Sequence, residues 1–190
     1  GMGERYDVTV TLRDGVFPLV AVAEGKNAHC RALIRTGTGP DPAIDALPAE
    51  LTGPVTTELD LTADDPVLLA DRTPDREHDL TLGGGMMPYR WTINGRTFDE
   101  HEPLALRTDE FVRLRFRNTT TMYHPMHVHG HTFQVRHAGA PGARKDTVMV
   151  MPGQTVTADL VADNPGQWLT HCHNLYHGEA GMMTVLSYQL

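Results

Sequence analysis

The chain has only two cysteines, Cys30 and Cys172, in 190 residues. Two thiols form at most one bridge, so a disulfide framework is excluded. Basic residues are also scarce: 16 Lys and Arg stand against 24 Asp and Glu, a formal net charge of −8. That balance argues against a nucleic-acid partner, whose phosphates demand a basic surface. The acidic residues are scattered rather than blocked, as on a solvated surface. No stretch reaches the roughly 18 apolar residues a membrane helix needs, so no membrane span is expected. The first ten residues are polar and charged, unlike a signal peptide. Helical periodicity of useful length, repeats and low-complexity tracts are missing too.

Histidine is abundant instead. There are 11, and seven of them fall within 124–131 and 171–177. Clustering of this kind separates metal ligands from background surface and core histidines.

Along the chain, Glu4–Leu12 alternates polar and apolar residues and predicts a strand; Val16–Ala23 and Ala32–Arg35 predict two more. Cys30, in a mixed polar and apolar run, is expected as a buried structural thiol. From Thr36 to about Asp79, repeated Pro, Gly, Asp and Thr prevent long regular elements and predict a connector. Strand signals then return at 78–82, 90–93, 111–117, 132–136, 147–151, 155–161, 167–171 and 183–188. Asn94-Gly95, Pro152-Gly153 and Asn164-Pro165-Gly166 supply turns between them. Many short strands with a turn every 8–12 residues or so predict an all-β Greek-key sandwich.

Two motifs carry the chemistry. In the first, His124-Pro125-Met126-His127-Val128-His129-Gly130-His131, the side chains of His127 and His129 share one face of an extended backbone. Pro125 is expected to break the strand and let His124 aim elsewhere. His131 is left out of the ligand set as a packing or supporting residue. In the second, alternation sends His171 and His173 one way and Cys172 the other, so one short strand can serve two metal centres and join them covalently. His177 follows Cys172 by five residues and Met182 follows by five more, with Gly178 and Gly181 letting the loop curl. A thiolate, two imidazoles and a weak thioether are the ligands of a blue copper site, and His124 is the natural second imidazole. A structural zinc site wants four strong ligands, usually with two or more cysteines, and methionine is not among them. Haem attachment needs Cys-x-x-Cys-His, which is missing. Copper fits best.

These two motifs, His-Pro-x-His-x-His-Gly and His-Cys-His-x-x-x-His-x-x-x-x-Met, resemble the copper signature of the multicopper oxidases, the family of laccases and cuprous oxidases. The resemblance covers roughly residues 78–190 and implies a C-terminal cupredoxin domain. It implies that His124, Cys172, His177 and Met182 hold a type 1 copper, that His127 is a type 2 ligand, and that His129, His171 and His173 bind the type 3 pair. Residues 1–36 are similar to the last strands of a preceding cupredoxin domain, leaving 37–77 as the connector. The family takes as many histidines again from two His-x-His pairs in its first domain. Upstream of His124 there are only His29, His78 and His101, all isolated. The expectation is therefore a piece of a longer enzyme, inactive alone, whose trinuclear site is completed by N-terminal cupredoxin domains. Some relatives place an acid directly after the type 1 histidine, where this chain has Gly178; Glu179 and Asp146 are not assigned as proton donors.

The implied reaction couples one-electron oxidation of a small reductant, phenol-like or a metal ion, to four-electron reduction of dioxygen to water. Family usage implies a secreted or periplasmic location. A single-copper electron carrier is the alternative, but it leaves His127, His129, His171 and His173 without purpose. A copper-storage protein is the third reading; its appeal rests on nine methionines, which are dispersed.

Overall fold

The computed structural model describes residues 1–23, 25–138 and 140–189. They form two compact units, Tyr6–Thr56 and a larger one comprising Gly1–Arg5 with the chain from Thr57 onward.

The smaller unit holds one antiparallel ribbon, β1 (Val16–Ala23) with β2 (Ala28–Arg35), in register from Val16↔Arg35 to Ala23↔Ala28. Glu4–Leu12, expected as a strand, has no regular structure. Alternation alone does not make a strand without a partner edge to bond to. Cys30 lies in β2 and is exposed, not buried as expected. A two-stranded ribbon has no second layer of its own to cover it.

The larger unit is a sandwich of two sheets. The first runs β10 (Thr147–Val150), β7 (His124–Val128), β12 (Gln167–Cys172), β13 (Met183–Tyr188), β5 (Leu104–Leu106). The second runs β4 (Tyr89–Ile93), β3 (Arg76–Met86), β6 (Phe111–Asn118), β11 (Thr155–Val161), β8 (Phe133–His137), β9 (Ala140–Lys145). Most neighbours are antiparallel; β3 with β6 and β5 with β13 are parallel. The expected all-β sandwich is present, and the connector forms only short 3-10 turns at 49–52, 58–60 and 65–67.

Period-two patterning builds the core. In β6, Val112, Leu114 and Phe116 are fully buried, while the alternate Arg113, Arg115 and Arg117 take ion pairs or solvent. Each such burial contributes on the order of 1.5–3 kcal/mol. Facing them from the other sheet are Met126, Val128, Val148, Val150 and Leu186. Beneath the second sheet, Asp159 is fully buried and accepts from both Arg113 (2.7 and 2.9 Å) and Arg136 (2.7 Å). These bonds give a buried carboxylate the partners it requires.

Candidate metal centre

The site is made by β7 and β12 lying side by side, with His171 opposite His127 and Cys172 opposite Met126. Pro125 does not break the strand as expected. It sits within β7, opposite Met149 of β10, and its carbonyl accepts the His173 amide at 2.6 Å. Alternation, rather than a break, separates His124 from His127: His124, Met126 and Val128 are buried on the core side, and His127 lies on the other face and is half-buried. The same rule parts Cys172 from His171.

On the core side, His124, Cys172 and His177 form the one cluster of three His, Cys, Asp or Glu ligands found among the described residues. Their exposures are 0%, 1% and 2%. His124 Nδ1 lies 3.6 Å from Cys172 Sγ, His177 Nδ1 lies 3.8 Å from it, and the two nitrogens are 3.1 Å apart. The point equidistant from all three is about 2.0 Å from each, the reach of a metal–nitrogen bond. Each ring is pinned through its far nitrogen, His124 Nε2 by the Thr120 hydroxyl at 2.8 Å and His177 Nε2 beside Asn174 at 3.3 Å. Such outer bonds fix the ring and its tautomer, leaving Nδ1 for a metal.

His177 is presented by α1 (Leu175–Glu179), a single helical turn that the sequence pattern did not reveal. The loop closes through Met182 N–H to His177 O and Cys172 N–H to Met182 O, both 3.0 Å. Met182 is fully buried beside them. Gly181 has φ +117°, and a Cβ there would lie 2.6 Å from Thr97 Cγ2 and 2.7 Å from the Trp91 carbonyl. Only glycine makes that turn.

Burial sets the charge state of this cluster. It holds the His124 imidazole down to about 4, helped by the neighbouring His177, and lifts the Cys172 thiol to about 12. The imidazole is thus neutral and ready to ligate. The thiol releases its proton to solvent only when a cation takes its place at the sulfur, as a soft transition metal would. The donor set of one thiol and two imidazoles fits a type 1 copper, and Met182, whose backbone bonds both His177 and Cys172, is buried in the same core.

On the opposite face stand His127, His129, His171 and His173. Ring centroids are 4.8 Å apart for His127–His129, 5.0 Å for His129–His171, and 5.7 Å for both His127–His173 and His171–His173. His127 Nδ1 donates to the Asp146 carbonyl (2.8 Å) with the Thr147 hydroxyl 3.0 Å away, and His171 Nδ1 donates to its neighbour's carbonyl (3.0 Å). Their Nε2 atoms remain for the cluster. His129 Nε2 faces His171 Nε2 at 2.9 Å, two lone-pair atoms that one proton or one cation must share. All four expected residues are brought together. His131 joins neither set; it bonds the Tyr188 hydroxyl at 2.6 Å and the His129 carbonyl at 3.0 Å.

Sequence reasoning missed two residues. Trp91 of β4 stacks on His177 (centroids 4.0 Å) and meets His124 edge-on (5.3 Å). Thr120 anchors His124. Neither belongs to a ligand motif; the only signal was position, Thr120 four residues before His124 and Trp91 inside a strand.

A family model described as Multicopper oxidase matches residues 71–189. The chain is 54% identical over its whole length to multicopper oxidase MmcO of Mycobacterium tuberculosis, of which it spans 38%. It is 38% identical over 112 residues, 58% of its length, to copper resistance protein A of Escherichia coli, spanning 18% of that protein. The solved structure of the McoA multicopper oxidase from Aquifex aeolicus aligns over 92% of this chain and 41% of that one, with a TM-score of 0.57 and 27% identity. The blue copper oxidase of Nitrosomonas europaea aligns over 59% of this chain and 43% of that one, with a TM-score of 0.52 and 30% identity. The chain thus spans about two fifths or less of these relatives.

Proposed function

This chain belongs to the multicopper oxidase family, and from that premise we propose that it supplies the type 1 copper site and half of a trinuclear copper site. Histidines outside the chain complete the second. The observation that carries the reading is the opposite placement of Cys172 and His171 on one strand, each meeting its own set of imidazoles.

His124, Cys172, His177 and Met182 are the type 1 ligands, His127 a type 2 ligand, and His129, His171 and His173 ligands of the type 3 pair. Bound copper would supply one-electron redox chemistry at the first set and dioxygen binding and reduction to water at the second. The protein's own part is to hold imidazoles by their far nitrogens, to exclude water from the sulfur, and to link both sets through β12. The Cys172 sulfur reaches the flanking imidazoles through its own backbone, a short covalent path between centres. Residues 1–36 are assigned to the end of a preceding cupredoxin domain, 37–77 to a connector and 78–190 to the copper-bearing domain. The reductant is a small phenol-like molecule or a metal ion, and the site of action is outside the cytoplasm.

Met182 would be the weak thioether ligand, and its identity would tune the potential of bound copper. Met182→Leu in the copper-loaded enzyme is expected to keep the blue band and raise the reduction potential; a fall in potential would remove Met182 from the ligand set.

The single-copper carrier reading accounts for the cluster around Cys172 but gives no reason for four imidazoles to converge on the other face, two of them at 2.9 Å.

A further inference from the structure

Every proposed type 1 ligand is 2% exposed or less, so a reductant in solution meets none of them directly. Electrons must cross protein matter. Among the described residues, Trp91 is the one aromatic residue besides the histidines that contacts either imidazole of this cluster. Trp91 is itself 1% exposed, and its other aromatic neighbour is Tyr89, edge-on at 6.3 Å. Tyr89 is 47% exposed, and its hydroxyl donates to the Tyr176 carbonyl at 3.2 Å. That bond ties the β4 strand to the turn bearing His177, where Leu175 and Tyr176 are 68% and 75% exposed. A contiguous line of rings thus runs from an apolar, aromatic surface patch to a ligand.

Resting on the copper reading above, we propose that Tyr89 and Trp91 form the electron-entry bridge to the type 1 site, with Tyr89 as the contact point for an aromatic one-electron donor. One electron leaves the donor and one Cu(II) becomes Cu(I); the donor's proton goes to bulk water, and no protein bond is made or broken. The Trp91 Nε1–H is buried without an acceptor, so the indole has nowhere to shed its proton and is returned unchanged. An unpaired buried N–H destabilises a fold, a cost that phenylalanine would avoid. Indole at this position is better explained by its extended π system, stacked on His177 with the planes 29° apart, than by packing alone.

The test is anaerobic stopped-flow bleaching of the blue band by hydroquinone in the copper-loaded protein, with the type 1 potential measured beside it. Tyr89→Leu touches no ligand and is expected to slow bleaching several-fold at unchanged band and potential. Trp91→Phe, which keeps a ring on His177, is expected to slow it as well. Bleaching at the parent rate in both variants overturns the bridge, and so does a slowing matched by a shifted potential. Absence of any blue band in the parent protein defeats the copper reading instead. A second readout is emission: with Trp168→Phe leaving Trp91 as the sole tryptophan, copper entry should quench most of the fluorescence. Unquenched emission contradicts the contact on which the bridge depends.

Discussion

The two faces of β7 and β12 share the same strands and the same register, yet they make unlike sites. Toward the core, His124 and Cys172 are almost wholly buried, and a single turn adds His177. Toward the other side, His127 and His171 are half-buried and His173 is exposed. The core face gathers its donors from within one sandwich, so that cluster is closed to solvent. The other face gathers four imidazoles and stops. Alternation distributes ligands to faces; what lies above each face decides whether the site is closed.

Cys172→Ser has the largest expected effect on the contrast between the two faces. In the copper-loaded protein this change is expected to abolish the blue band entirely while leaving copper at the histidine face, read by metal count and electron paramagnetic resonance. The reverse cut is His171→Ala, expected to leave the blue band and remove copper from the other set; loss of both signals together would show that the faces are not separate sites. Smaller effects sharpen the contrast. Thr120→Val removes the hydrogen bond at His124 Nε2 and is expected to lower the stability of the copper-free protein by about 1–2 kcal/mol in denaturant melts, with Thr120→Ser restoring it. Thr147→Val should cost less, about 0.5 kcal/mol, because the Asp146 carbonyl still holds His127. Equal costs would mean that the Asp146 carbonyl alone does not hold His127.

Much of this was legible beforehand, for reasons that differ by residue. The Cys172–His171–His173 split follows from a two-residue period, which any extended backbone imposes. The strands near 111–117, 132–136, 147–151, 155–161, 167–171 and 183–188 were visible because each is rich in apolar and β-branched residues and the turn residues between several of them are explicit. The three-residue Leu104–Leu106 strand is too short to show a period, and Ala140–Lys145 is rich in residues that rarely mark strands. Pro125 misled because a proline usually ends a central strand, whereas here it sits one residue beyond the last β7–β12 pair, Met126 with Cys172, where its carbonyl meets the His173 amide. Cys30 misled because burial is a property of layers, not of local composition, and its ribbon has one layer. Trp91 and Thr120 meet the ligands only through tertiary contact, which no spacing encodes.

Copper-edge anomalous scattering from crystals of the copper-loaded protein tests the central claim most directly. One peak bonded to Cys172 Sγ, His124 Nδ1 and His177 Nδ1 is expected, with separate density across β12 on the His129 and His171 Nε2 atoms. A single peak shared by both faces, or none at the sulfur, would contradict it.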